Sequence, residues 1–219
     1  MFNNKILCFL NTITNLMILN LLWFLCCIPV VTIVPSTAAM YYVTLKMVKK
    51  EDPYIIRSFL HSFRENFKQG IVLSIFFILL AGILFVDIWI LHSFSSDFHQ
   101  ILMVISCLFC VLVMMTLAYV CPFLSRFQNT VAVTLKNAFI IGLSNPVKSV
   151  IILTIDLLPV LLLIFFPDVF AVSIIFWLVL GFAVIALLNS IMLSKLFAKY
   201  EPKEIADVDN GVDQIEMCQ

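Results

Sequence analysis

The sequence contains few charged residues and very few glycines. Only 12% of its residues are charged, about half of the roughly 25% typical of a soluble domain, and glycine occurs five times in 219 residues. Apolar residues make up 63% of the chain, and the mean hydropathy is +1.13. A soluble domain of this size cannot hide that much apolar surface. The composition therefore excludes the soluble, disordered and fibrous classes and predicts a polytopic membrane protein.

The sequence also lacks the residue patterns of known catalytic and metal sites. It has no phosphate-binding glycine loop, no nucleophile elbow and no His-Glu-x-x-His motif. Cys107 and Cys110 lie in an apolar stretch with no second cysteine pair, so we interpret both as apolar packing residues. Lys+Arg and Asp+Glu both number 13, so no excess of positive charge favours nucleic acid. We predict no enzyme activity, no catalytic residues, no metal, no cofactor and no nucleic-acid partner.

Long stretches without Lys or Arg predict membrane-spanning helices. About 20 apolar residues cross a hydrocarbon core about 30 Å thick, and backbone groups in lipid must hydrogen-bond within the protein, which favours helices. The predicted spans cover about residues 13–34, 71–91, 101–124, 147–166 and 169–196. The stretch before residue 45 is long for one crossing, so a break at Pro29 and Pro35 with a second short crossing is an alternative. The predicted fold class is an all-α transmembrane helix bundle with five spans, or six in the alternative.

The basic residues lie on one side of this arrangement. Apart from Lys5, they lie between the first and second spans, between the third span and the start of the fourth, and at or after the end of the fifth. The positive-inside rule makes those segments and the C-terminus cytoplasmic. Five crossings, which we favour, put the N-terminus outside, and six put it inside.

Two cytoplasmic connections have the pattern of amphipathic helices. In residues 54–69, apolar side chains recur every three or four positions, while Arg57, Arg64 and Lys68 occupy other faces. Residues 127–142 repeat this pattern, with Lys136 off the apolar stripe. We predict two interfacial helices whose cations attract the lipid bilayer or dock a partner protein. Residues 201–219 are acidic and are predicted to form a disordered tail.

Asp156 lies near the middle of the fourth predicted span. A carboxyl group there costs about 2.5–3.5 kcal/mol on insertion scales, so it should face the bundle interior or a wet cavity. Pro159 cannot donate a backbone hydrogen bond to Ile155 and weakens the helix beside the acid. These two residues indicate either a polar pocket for a proton or small solute, or a packing hydrogen bond between helices. Asn20 and Asn189 are further intramembrane polar candidates, and interhelical hydrogen bonding is the simpler interpretation of both.

Three segments carry a resemblance to a known family. They are residues 20–43 (NLLWFLCCIPVVTIVPSTAAMYYV), 62–70 (SFRENFKQG) and 127–149 (FQNTVAVTLKNAFIIGLSNPVKS). Together they resemble the YesL-like family, which consists of small integral membrane proteins of mainly Gram-positive bacteria whose shared domain has no known function. The resemblance implies a multi-pass protein of the bacterial cell membrane and carries no catalytic or ligand residue.

The resemblance implies an accessory or regulatory role in carbohydrate uptake, with the permease of an ABC sugar importer as partner, because such proteins are often encoded beside sugar importers. The alternative function is a transporter that carries a small solute, or is coupled to protons, through a pocket at Asp156 and Pro159. Neither hypothesis indicates a substrate or an oligomeric state.

Overall fold

The computed structural model describes residues 2–51, 54–92, 97–127 and 129–197, and within these ranges it contains no strand. Five helical segments are long and apolar enough to cross a membrane, which confirms the predicted all-α transmembrane bundle. The helices are α1 (Phe2–Cys27), α2 (Ile33–Val48), α3 (Ile55–His92), α4 (Asp97–Arg126), α5 (Val131–Ser144), α6 (Pro146–Phe165), α7 (Pro167–Phe176) and α8 (Phe182–Phe197).

The segment predicted as the first span contains a reversal of the chain. Helix α1 ends at Cys27, a short 3₁₀ turn covers Val30–Thr32, and α2 follows at once. Pro29 lacks a backbone N–H and disfavours helix at the residue before it, which accounts for the end of α1. Trp23 Nε1 donates a hydrogen bond to Thr37 Oγ1 at 3.1 Å. Because this bond joins positions on either side of the turn, α1 and α2 form a helical hairpin.

Helix α2 is the central helix of the bundle and packs against α3, α4 and α8. It has 16 residues, most of them buried. The Thr44 and Ser190 hydroxyls, 2.7 Å apart, join it to α8, and Val34 N donates a hydrogen bond to Ser74 Oγ on α3 at 3.2 Å. Fully buried apolar side chains from the neighbouring helices complete the core around it: Leu19, Phe59, Leu73, Val120 and Leu193.

Helix α3 joins two segments that the sequence analysis separated at residue 70. Residues 55–69 and the second span form one uninterrupted helix of 38 residues. No proline breaks it, and Gly70, at the predicted boundary, is buried against α2. A helix of this size is about 57 Å long, against about 30 Å for the hydrocarbon core. Several of its turns therefore lie outside the core.

The remaining elements lie close to the predicted positions. The second predicted interfacial segment corresponds to α5, which ends at Ser144. Asn145 separates it from Pro146, the first residue of α6. The last span consists of α7, a π-helical segment at Trp177–Gly181 and α8, which follow one another without a break. The acidic residues 201–219 lie outside the described residues.

Candidate functional site

A cavity of about 450 Å³ lies between α2, α3, α4 and α6, and Asp156 forms part of its wall. Most of the wall is apolar, with side chains such as Phe77, Leu117 and Leu153. Asp156 is the only acidic or basic residue among those that line the cavity. The acid at membrane depth thus faces the bundle interior, beside a partly open cavity.

Asp156 is held by a hydrogen bond from another predicted polar residue. Asn189 Nδ2, on α8, donates to Asp156 Oδ1 at 2.7 Å and lies 3.2 Å from the Tyr41 hydroxyl oxygen on α2, which accepts from it. Asn189 is fully buried, and Tyr41 also lines the cavity. These contacts join α2, α6 and α8 at one point. Within the described parts of the chain, no Lys, Arg or His pairs with the carboxylate.

The hydroxyl groups on the cavity wall are engaged in bonds of their own. Thr37 Oγ1 donates to the backbone oxygen of Ile33 at 2.7 Å and accepts the bond from Trp23. Ser74 Oγ accepts the backbone N–H of Val34. The Asp156 carboxylate, with a single donor at one oxygen, therefore has the largest unused capacity to accept hydrogen bonds among these groups.

Pro159 lies inside α6 and is buried, but it does not line the cavity. The helix continues past it to Phe165. Proline at this position leaves the Ile155 carbonyl without its intrahelical partner. The structure thus brings Asp156 and Asn189 together and leaves Pro159 one turn beyond them.

Asn20 belongs to a different contact. Its Nδ2 group donates to the Leu178 oxygen at 2.7 Å and to the Trp177 oxygen at 3.3 Å, and its Oδ1 accepts the Ala183 N–H at 3.0 Å. A π-helical segment disturbs the regular backbone hydrogen bonding. Asn20 is fully buried and supplies partners for the disturbed groups. Its geometry is that of an interhelical hydrogen bond rather than of a ligand contact.

Two features of these contacts were missed by the sequence analysis. Tyr41 reaches the Asp156 pair from α2, but nothing in the run of residues 40–43 distinguishes it from Tyr42 as the inward-facing tyrosine. The second feature is the π-helical segment, which depends on contacts within the folded chain. The Trp177 ring lies directly over Gly181, and a Cβ atom at position 181 would overlap it. The four-residue separation of Trp177 and Gly181 was its only signal in the sequence.

Three of the four predicted docking cations lie at the start of α3. Arg57, His61, Arg64 and Lys68 are spaced by four, three and four positions, which puts them on one stripe of the helix, and all are exposed. We call this surface the basic stripe. The opposite stripe, with Ile55, Phe59 and Ser62, is buried against the bundle.

A groove of about 790 Å³ runs beside the basic stripe. It is lined by Arg57 and Arg64 of α3 and by Asn15 and Ile18 of α1, so this part of α1 lies at the same end of the bundle as the start of α3. Lys136 is exposed on α5 and does not line this groove. The four predicted cations therefore form one cluster of three and one separate residue.

Comparison with known proteins gives one match. Residues 16–88 match the model of a family described as "Protein of unknown function, DUF624". The matched region contains Asn20, α2 and the basic stripe, but neither Asp156 nor Asn189. No curated protein and no solved structure matches the chain.

The family match is compatible with the YesL-like resemblance. Five apolar helices of membrane-spanning length decide the broader class. The chain is an integral membrane protein. In the described part of this membrane protein, no group of three or more His, Cys, Asp or Glu side chains has the arrangement of a metal site.

Proposed function

We propose that the protein is a non-enzymatic accessory or regulatory component of a carbohydrate-uptake system in the bacterial cell membrane. Its basic stripe and C-terminus face the cytoplasm, as the positive-inside rule requires. The observation that carries the proposal is the basic stripe itself, with Arg57, Arg64 and Lys68 exposed on one side of α3 while the other side is buried. The YesL-like resemblance implies that this system takes up carbohydrate and that the partner is the permease of an ABC sugar importer.

The chemistry of the stripe suits a protein partner with an acidic surface. Three cations in line along a helix present complementary charge to such a surface, and charge complementarity favours encounter and orientation. In the neighbouring groove, the apolar side chain of Ile18 lies beside Arg57 and Arg64. A helix of the partner that lies in this groove would bury apolar surface and meet the cations at its edge.

Co-purification from native membranes tests this proposal. We expect the tagged full chain to recover the permease in stoichiometric amount. The triple substitution R57E/R64E/K68E should reduce recovery at least tenfold, because it replaces attraction by repulsion. Lys136→Glu is the matched control, since it reverses one exposed charge outside the stripe and should leave recovery unchanged. Equal recovery by the triple variant, or no permease with either chain, would contradict the proposal.

A second candidate function is transport of a small solute, or proton coupling, through the Asp156 cavity. The specific observation in its favour is that a carboxylate at membrane depth lines a cavity of about 450 Å³. Polar groups at such depth are typical of substrate and ion pathways. The purified protein in proteoliposomes should then show solute or proton flux that Asp156→Asn abolishes. Flux that is absent from the wild type, or unchanged in the variant, would exclude this candidate.

A further inference from the structure

We propose that the Asp156 cavity binds a lipophilic cation, an apolar molecule with one ammonium group that pairs with the Asp156 carboxylate. A lipophilic cation is thus the class of ligand for the second candidate function, and in this respect the proposal rests on that function. Binding does not require transport, however, so the two can be tested separately.

The shape and lining of the cavity suit an apolar molecule. A volume of about 450 Å³ lies within the range of small-molecule sites. Aliphatic and aromatic side chains make up most of its wall, including Val34, Phe77 and Leu157. Such walls favour the burial of an alkyl or aryl group and offer few hydrogen bonds to a polar solute such as a sugar.

The charge of the ligand follows from the carboxylate. Asp156 receives one hydrogen bond, from Asn189, and no cation of the described chain pairs with it. A carboxylate accepts about four hydrogen bonds, and a buried charge without a partner is unfavourable. An ammonium group in the cavity supplies both the missing charge and further donors. The other polar side chains of the wall, Thr37, Tyr41 and Ser74, are neutral and already hydrogen-bonded.

The route of entry is lateral. Several residues that line the cavity are also exposed on the outside of the bundle: Val30 is 59% exposed, and Ile78 and Met114 are each 42% exposed. Ile78 and Met114 lie within predicted spans, so this rim faces the hydrocarbon of the bilayer. A ligand that partitions into lipid can therefore reach Asp156 without crossing a polar vestibule.

Equilibrium binding with three matched probes tests the inference. The full chain, purified in an uncharged detergent, is titrated with radiolabelled dodecylammonium, and unlabelled dodecylammonium, dodecanol and dodecane serve as competitors. The three share one chain and differ in having a cationic donor, a neutral donor or no donor. We expect saturable binding that dodecylammonium displaces at least tenfold more effectively than dodecanol, and that dodecane does not displace.

Two substitutions and a matched control locate the site. Asp156→Asn keeps the size and hydrogen-bonding capacity of the side chain but removes its charge, and it should weaken binding at least tenfold, while Asp156→Glu should restore it. Ala118→Leu fills part of the cavity and leaves the carboxylate in place, and it should likewise weaken binding at least tenfold. Asp87→Asn is the control, because Asp87 accepts a hydrogen bond from Ser106 and does not line the cavity.

Each outcome has a definite meaning. Undiminished binding by Asp156→Asn and Ala118→Leu, or equal displacement by all three competitors, overturns the inference and indicates a general site for alkyl chains. If Asp156→Asn does not fold, as judged by gel filtration, Ala118→Leu and the competitor ranking decide. Specific binding without flux in proteoliposomes would reject the transport function while supporting the ligand class.

Discussion

At Gly70, the backbone of α3 lies against the ring of Pro35 in the first turn of α2. A Cβ atom on Gly70 would be 2.6 Å from the Pro35 Cβ and 2.8 Å from its Cδ, and neither the proline ring nor the two helix backbones can move aside cheaply. This approach seats the central helix beside Ser74, one of the residues that line the cavity. Gly82, further along α3, has no atom within 4 Å of its would-be Cβ.

The two glycines predict opposite responses to the same substitution. Gly70→Ala should lower the free energy of unfolding by about 1–3 kcal/mol, because it overpacks the contact between α2 and α3. Gly82→Ala should leave it unchanged or raise it by up to about 1 kcal/mol, because alanine has the higher helix propensity. Denaturation of both variants in detergent measures the difference. Equal effects would show that the α2–α3 contact does not depend on the missing side chain.

At the scale of the element, the last span depends on a residue from the first. The π-helical segment at Trp177–Gly181 lies between α7 and α8. Asn20 of α1 donates to the Leu178 oxygen near the start of this segment and accepts the N–H of Ala183 just after its end. The Trp177 ring occupies the space over Gly181. The π-helical segment is therefore stabilised by the Asn20 side chain from α1, and it requires a residue without a side chain at Gly181.

Removal of the Asn20 amide should destabilise this arrangement. Asn20→Leu has a similar size but leaves the Leu178 oxygen and the Ala183 N–H without their side-chain partner, so we expect a loss of about 1–3 kcal/mol in the free energy of unfolding. Thr154→Val is the control, because its hydroxyl donates only to the Val150 oxygen of its own exposed helix face. It should change stability by less than about 0.5 kcal/mol. An Asn20→Leu variant as stable as the control would contradict the assigned role.

At the scale of the whole molecule, the hairpin of α1 and α2 determines on which side the chain begins. Asn15 lies beside the start of α3, and α1 runs from there to the reversal at Pro29. Because α1 and α2 form a hairpin, the start of α1 lies at the same end of the bundle as the basic stripe. This corresponds to the six-crossing alternative for the N-terminus, although α2 itself is only 16 residues long.

Cysteine labelling of intact cells tests this arrangement. In a background without native cysteines, Asn3→Cys and Arg64→Cys should both resist a membrane-impermeant maleimide, because the positive-inside rule puts their common end in the cytoplasm. Ser95→Cys, in the connection between α3 and α4, should be labelled. Both protected sites should react once the membrane is permeabilised. Labelling of Asn3→Cys alone among the protected pair would contradict the hairpin, and labelling of both would invert the whole orientation.

Composition and residue spacing are enough to predict the membrane class, the helical fold and the basic stripe. The scarcity of charge and the length of the apolar stretches determined the membrane class and the helical fold, because a bilayer accepts few alternatives to a helix. The spacing of Arg57, Arg64 and Lys68 likewise identified the basic stripe. The depth of Asp156 in its span predicts that its side chain faces the bundle interior or a wet cavity.

Which polar groups meet does not follow from their positions in the sequence. Asn189 is 33 positions from Asp156 and Tyr41 is 148 positions from Asn189, so their contacts depend on how α2, α6 and α8 pack. Pro29 accounts for the end of α1, but the direction in which α2 continues depends on its burial between α3, α4 and α8. A membrane constrains each helix separately, but the contacts between helices determine the cavity and what it can bind.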